Sequence, residues 1–388
     1  MNDAAAALRT IPFGRPMLDA AEREAALRVL SGTTLVHGPE SAAFESEFAA
    51  RVGAAHAVSA SSCTAALHLA LFAAGIGPGD RVAVPAMTHV ATAHAVEFCG
   101  AEPVFVDVEP DTGNMDPAAL DAVGGRLAAI MPVHYLGLPC DMDRIGAVAA
   151  RHGAIVVEDC ALALDGTWDG RKAGTLGLAG CFSFYPIKHM TTLEGGVLTT
   201  DDAAFGEAVR RRKAFGYDRS HAERTKPGIY DVTMLGYNYR MNEVAAAVGR
   251  TQLAKLDGFQ AARAANFARL AAALAGEDAI TVMPATKGKA RSSHYCLNAV
   301  LPRDGSIDRD LVVSSLKSAG VGTSVHYPSA VPLFTYYRDK YGYRPGQWPV
   351  AEWLAAQTIS LPVGPHLQPG DAEYIGSAVG RALAATRG

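Results

Sequence analysis

The sequence predicts an α/β protein: a three-layer α/β/α large domain around a mostly parallel central sheet, followed by a smaller α+β C-terminal domain. Two observations predict it. From about residue 54 to 216, short β-rich runs alternate with apolar helical runs, as parallel strands joined by crossover helices do. Beyond about residue 240 the texture changes to one long helix and then to mixed short elements. The 388 residues exceed what one hydrophobic core usually organises, and 49% hydrophobic with 19% charged residues, 39 Gly and 21 Pro describe a loop-rich globular chain. The expected division is residues 1–250 for the large domain with an N-terminal arm and 251–388 for the small one.

The strand candidates in chain order are Ala54 to Ala60, Arg81 to Ala86, Pro103 to Val108, Leu127 to His134, Ala154 to Asp159, Gly180 to Tyr185 and Gly196 to Thr200. Helical runs between them are Thr64 to Ala74, Thr88 to Cys99, Met142 to His152 and Asp202 to Phe215, each followed by a glycine that supplies a left-handed stop. Asn242 is placed to cap a long helix whose apolar positions Val244, Val248, Leu253, Leu256, Phe259, Phe267 and Leu270 recur at helical spacing. After it the chain reads as strands at Ile280 to Met283 and Tyr295 to Leu301, and a helix from Asp308 to Ala319. An irregular aromatic stretch from His326 to Trp348 and a final helix from Ala372 to Thr386 complete it.

Composition narrows the partners. Lys+Arg 35 against Asp+Glu 39 leave a formal charge of −4 with no basic tract, so nucleic acid is not expected. Cys63, Cys99, Cys140, Cys160, Cys181 and Cys296 show no C-x-x-C pair or zinc-type spacing, which fits reduced thiols and a cytoplasmic location. Met1 to Thr10 does not read as a signal peptide. The apolar stretch from Ala57 to Gly79 contains Ser59, Ser61, Ser62, Thr64, His68 and Pro78, so a buried helix explains it and no membrane is expected. His134 and His94 read as packing or hydrogen-bonding residues, and no metal site is expected.

Three features fall at strand ends of the same candidate sheet, where such folds bind ligands. Ser61-Ser62-Cys63-Thr64 opens the first crossover helix, and free N–H groups with small hydroxyls at a helix start suit a phosphate, although an ordinary N-cap looks the same. Asp159 closes the apolar strand Ala154 to Glu158; a carboxylate there requires a donor or cation, such as a protonated pyridine nitrogen, or serves as a cap. Lys188 follows a strand and precedes Gly195-Gly196, which aims its amine into the space beyond the sheet and not into bulk water.

The block Phe182-Ser183-Phe184-Tyr185-Pro186-Ile187-Lys188-His189-Met190-Thr191-Thr192-Leu193-Glu194-Gly195-Gly196, with Glu158-Asp159-Cys160-Ala161 before it, resembles the DegT/StrS-type sugar aminotransferases of the fold-type I pyridoxal 5′-phosphate (PLP) superfamily. The likeness extends to Gly38-Pro39, Ser61 to Leu69, Pro85 to Ala95, Phe105-Val106-Asp107, Gly170-Arg171-Lys172, Gly236 to Glu243 and His326-Tyr327-Pro328. The resemblance implies that Lys188 holds PLP as a Schiff base and shuttles a proton once the amino donor has released it. It assigns Asp159 to the pyridinium nitrogen. Ser62, Cys63, Thr64 and Ser183 are assigned to the phosphate, which Asn238 reaches from the neighbouring subunit of a homodimer with shared sites. His89 lies over the ring, Leu162 near the phenolic oxygen, and His326 and Tyr327 at the substrate entrance.

Three positions depart from the commonest family pattern: Cys63 replaces Gly, His89 replaces Phe or Trp, and Leu162 replaces Gln or His, which removes one donor from the phenolic oxygen. The implied reaction takes the amino group of L-glutamate and delivers it to a nucleotide-linked keto sugar. A keto-cyclitol acceptor is the alternative. A sugar dehydratase would carry His where this chain has Lys188, and a non-catalytic cofactor binder would not need lysine, aspartate and phosphate residues all intact.

Overall fold

The computed structural model describes residues 9–218 and 229–386, so residues 1–8 of the N-terminal stretch lie outside the described residues. Seven strands form the central sheet: β1 (His56–Ala60), β2 (Arg81–Pro85), β3 (Glu102–Val106), β4 (Ala129–Ile130), β5 (Ile155–Asp159), β8 (Ala179–Ser183) and β9 (Gly196–Thr200). Their order is β1-β9-β8-β5-β4-β2-β3, with β9 antiparallel to both neighbours and the remaining pairs parallel. The two-residue strands β6 (Thr167–Trp168) and β7 (Arg171–Lys172) join β11 (Thr286–Lys287) and β12 (Ala290–Arg291) in a four-stranded ribbon. A third, antiparallel sheet is built from β10 (Thr281–Val282), β13 (Leu297–Val300) and β14 (Thr358–Leu361).

Twelve α-helices are described. Those preceding β5 are α1 (Ala20–Leu30), α2 (Pro39–Val52), α3 (Cys63–Ala73), α4 (Val90–Phe98), α5 (Pro117–Asp121) and α6 (Met142–His152). Those following β9 are α7 (Ala203–Arg212), α8 (Glu243–Ala273), α9 (Arg309–Ser318), α10 (Thr335–Tyr341), α11 (Pro349–Gln357) and α12 (Asp371–Thr386). Residue 250 lies inside α8, whose 31 residues run from the central sheet towards the third.

Helix α3 shows how the main core is made. Ala65, Ala66, Leu67, Leu69, Ala70 and Leu71 are each at most 5% exposed, so the helix is apolar on every side because protein surrounds it on every side. It spans only 11 residues, and among the described residues no helix is long and apolar enough to cross a membrane. All six cysteines are buried and unpaired.

The strand that leads to the site is fixed by buried charge. Glu45 on α2 accepts from Ser59 N (2.8 Å) and Ser59 Oγ (2.7 Å) on β1, and from Lys213 Nζ (2.8 Å), which also donates to the Ser59 carbonyl (2.9 Å). Arg210 completes the cluster. Burial alone would raise the Glu45 pKa, but Lys213 and Arg210 outweigh it and hold the carboxyl down to about 2. The folded state therefore binds this proton less tightly than the unfolded chain. The resulting stability is complete above the ordinary glutamate range and is lost as pH falls towards about 2. Glu45→Gln is expected to lose about 3–5 kcal/mol at neutral pH, because Lys213 is left buried without its anion. Urea melts from pH 7 to 3 check this: the difference between wild type and variant should shrink as the solution is acidified.

Candidate active site

Strand pairing alone brings four segments to one edge of the sheet. Asp159, the last residue of β5, pairs with Cys181 of β8; Ser183, at the end of β8, faces Gly196 of β9; and Gly196 also faces Ala60, the end of β1. Gly196 is required there by close approach. A Cβ on it would lie 2.4 Å from the Ser62 carbonyl carbon and 2.5 Å from Cys63 N. Ser62 caps α3, its hydroxyl accepting from Ala65 N at 3.1 Å. Among the described residues the N–H groups of Cys63 and Thr64 have no partner, as the first turn of a helix leaves them. Thr64 in that turn and Ser183 at the end of β8 add hydroxyl residues to the same sheet edge.

Asp159 is 4% exposed and holds two neutral donors: the Thr92 hydroxyl on Oδ2 at 2.7 Å and Ala161 N on Oδ1 at 3.0 Å. Because Thr92 gives its proton to Asp159, the 2.8 Å contact between Thr88 and Thr92 must have Thr88 as donor. Among the described residues no cation pairs with this buried carboxylate. Lys188 is the complement. It is half-buried on the turn after β8, and its Nζ makes no hydrogen bond or ion pair among the described residues, resting 5.2 Å from the centre of the Tyr295 ring. Burial lowers the lysine pKa, while the neighbouring Cys63 thiol and Asp159 carboxylate pull it back up. Two opposite charges thus border one site within electrostatic reach of each other, and neither forms an ion pair among the described residues.

His89, His326 and Tyr327 meet in one cluster of rings. His89 caps α4 through Nδ1, which accepts from Ala91 N at 3.2 Å, so its proton sits on Nε2. Its ring meets Tyr327 edge-on at 5.8 Å. His326 lies 2.9 Å from Ser360 Oγ through Nδ1. Ser360 spends its own proton on Asn298 Oδ1 (2.8 Å), so His326 Nδ1 is the donor and Nε2 the acceptor. Burial first, then the Lys188 and His89 charges, push the His326 pKa down to about 3, which keeps the imidazole neutral.

Two expected residues stand apart. Leu162 is 2% exposed and packed in the main core; only its carbonyl is engaged, accepting from Ser293 Oγ at 3.1 Å. Asn238 is exposed, and its amide oxygen accepts from Arg240 Nε at 2.8 Å. The adjoining Tyr239 carbonyl accepts from Ser61 N at 2.8 Å, which lays this segment along the phosphate-type turn. A cleft of about 220 Å3 borders the far flank of the lysine loop, lined by Arg15, His189, Gln252 and Arg263. Of the residues at the sheet edge it shares only Lys188. Thr92 and Tyr295 were not anticipated. Thr92 lies one helical turn after Thr88 beside the expected His89, a usable signal; Tyr295 is remote in sequence and has none.

The buried pair His134 and Glu158, near Cys160, has the composition of a metal site, but its lone pairs are taken. Glu158 accepts from His134 Nε2 (2.9 Å) and from the backbone N–H of Gly174, Leu176 and Gly177, while His134 Nδ1 accepts from Cys140 N (3.2 Å). This is a structural pin under β5.

Comparison with known proteins agrees with this geometry. Residues 16–380 match the DegT/DnrJ/EryC1/StrS aminotransferase family. The chain is 37% identical over 375 residues to the spore coat polysaccharide biosynthesis protein SpsC of Bacillus subtilis (strain 168), covering 95% of this chain and 96% of SpsC. DesV of S. venezuelae, solved in complex with a ketimine intermediate, superposes with a TM-score of 0.87 at 35% identity over 96% of this chain and 99% of DesV. The PLP form of a putative sugar aminotransferase of Streptococcus pneumoniae, Spr1654, gives 0.90 at 27% identity over 97% and 100%. Because the match runs through the central sheet, the lysine loop and the C-terminal sheet alike, the chain as a whole belongs to the DegT/DnrJ/EryC1/StrS aminotransferase family.

Proposed function

We propose that this aminotransferase uses PLP to move the amino group of L-glutamate to the keto group of a nucleotide-linked sugar or deoxysugar, with Lys188 and Asp159 as its catalytic residues. The observation that carries the reading is this pair of charges. A buried carboxylate and an amine that form no ion pair among the described residues, beside open helix N–H groups, call for a ligand with a protonated ring nitrogen, an electrophilic carbonyl and a phosphate.

PLP, when bound, supplies an electron sink for the carbon that gains or loses the proton. The protein's work is separable from that. Lys188, its pKa lowered by burial, presents an amine able to attack a carbonyl and later to carry a proton across the site. Asp159, fixed by Thr92 and Ala161 N, offers a charge to a ring nitrogen. Cys63 and Thr64 N–H, with the hydroxyls of Ser62, Thr64 and Ser183, hold the phosphate. His89 would lie against the ring and His326 and Tyr327 would receive the sugar, while Leu162, turned into the core, offers the phenolic oxygen no donor. Tyr185 and Leu193 on the lysine loop, and Val232 and Leu235 before Asn238, are exposed apolar side chains, which supports a homodimer in which Asn238 serves the partner's phosphate.

The half-reactions test this separately. Adding L-glutamate to the PLP-loaded protein should bleach its visible band and release 2-oxoglutarate, and a nucleotide-linked keto sugar should then restore the band while becoming an amino sugar. A keto-cyclitol that restores the band in place of every nucleotide sugar would move the acceptor to that class. A band indifferent to glutamate and to other amino acids would overturn the reading.

A further inference from the structure

Arg263 sits in the middle of α8, 5% exposed, and enters no ion pair among the described residues. Its Nη1 donates to the Tyr295 carbonyl at 2.9 Å and its Nη2 to the Lys188 carbonyl at 3.3 Å, while Nε is buried without a partner. Taking a guanidinium out of water without a counter-charge is costly, and an apolar side chain of the same length would fill the space without that cost. The charge therefore has to be explained by the bonds it makes. Both go to backbone at the site: one to the residue that carries the amine, the other to the residue whose ring the amine rests on, 5.2 Å away. Next to them His189 Nε2 donates to the Ser293 carbonyl at 3.1 Å, a second tie between the same two segments.

We infer that Arg263 is a positioning residue, a rigid fork that sets the lysine's backbone and the tyrosine wall at one fixed separation so that the amine swings from a defined base. The planar, five-donor guanidinium suits this and an ammonium does not, because two divergent carbonyls need a fork of fixed geometry. Displacement of a reacting group by about 1 Å costs on the order of a hundredfold in rate, so loss of the fork acts on the rate of the lysine's chemistry more than on binding. This rests on Lys188 being the residue that bonds to PLP.

The test measures how fast apo-protein at saturating PLP develops the visible band of covalently held cofactor, alongside non-covalent PLP affinity, kcat, KM and Tm. Arg263→Met should slow band formation at least about tenfold and lower kcat in parallel, with PLP affinity and sugar KM within about twofold. Arg263→Lys should recover part of the rate. Asn266→Ala, one turn along α8, removes a comparable tie to the carbonyls of Val363 and Gly364 that does not touch the lysine, and should lower Tm with band formation at the wild-type rate. Arg263→Met forming the band at the wild-type rate overturns the inference. If that variant does not fold, Arg263→Lys decides: a rate at least about threefold below wild type supports positioning, and a wild-type rate overturns it. A wild-type protein that forms no band, or one that persists in Lys188→Ala, refutes instead the assignment of Lys188.

Discussion

Lys188→Ala is expected to lower turnover by at least about four orders of magnitude, the scale on which removal of a covalent nucleophile acts, and to do so with little change in Tm. The second half of the expectation is what makes the first informative. The Lys188 amine forms no hydrogen bond or ion pair among the described residues and is desolvated enough for burial to lower its pKa, so its loss removes a costly charge and its contact with the Tyr295 ring. Lys188→Arg separates the two roles of the side chain: it keeps the positive charge facing Asp159 but has no free amine to attack a carbonyl, and it should be as inactive as alanine. Steady-state rates, the visible spectrum and a thermal melt on the three proteins check this. A Lys188→Arg protein with appreciable turnover would mean that charge, not nucleophilicity, is what the position supplies.

The sheet was legible because its strands are short, apolar and punctuated. Gly153 is an example: placed after the Met142 to His152 run, it closes α6 with φ of +63° in the left-handed region, which a glycine adopts at no steric cost. Asn242 likewise caps α8, accepting from Ala245 N at 2.8 Å. Where strand propensity met a backbone constraint the reading overshot. The run from Leu127 to His134 is a regular strand only at Ala129–Ile130: Pro132 has no N–H to donate and interrupts it, and pairing with β5 resumes as a single parallel bridge between Val133 and Asp159. The stretch from His326 to Trp348, which looked irregular, contains α10: its tyrosines interlock with one another and with Phe105, so tertiary packing and not helical spacing of apolar residues makes it a helix.

At the site, what could be read were the residues on strand ends, Asp159, Ser183 and the turn from Ser61 to Thr64, since strand order fixes where they go. Partners supplied from far along the chain could not be read. Tyr295 approaches Lys188 from the connection between β12 and β13, and Lys213 reaches Glu45 across 168 residues of sequence. No periodicity encodes such meetings; they depend on how separate elements are packed together. Leu162 illustrates the converse limit. Its place beside the site follows from the Asp159 block, but that its side chain turns wholly into the core is a matter of packing.

Asp159→Asn is the sharper companion test, because the substitution preserves shape and removes only charge. The fold should tolerate it. An amide oxygen can keep the Ala161 N–H bond, and an amide N–H turned towards Thr92 lets that hydroxyl accept while it returns its own proton to Thr88, so the rearranged network costs about 1 kcal/mol. The ring nitrogen of a bound cofactor has no such alternative. Without an anion beside it the protonated form loses a buried partner, a loss of about 3–5 kcal/mol, which corresponds to about two to four decades in rate or affinity. Both kcat and PLP affinity should therefore fall steeply while Tm moves little. Asp159→Glu, which keeps the charge but displaces it by one methylene, should fall between. If Asp159 were only the cap of the turn at Ala161, Asp159→Asn, which keeps that bond, would leave kcat and PLP affinity within a fewfold of wild type and Tm unmoved, since a turn cap acts on folding and has no means of distinguishing a charged ring from a neutral one.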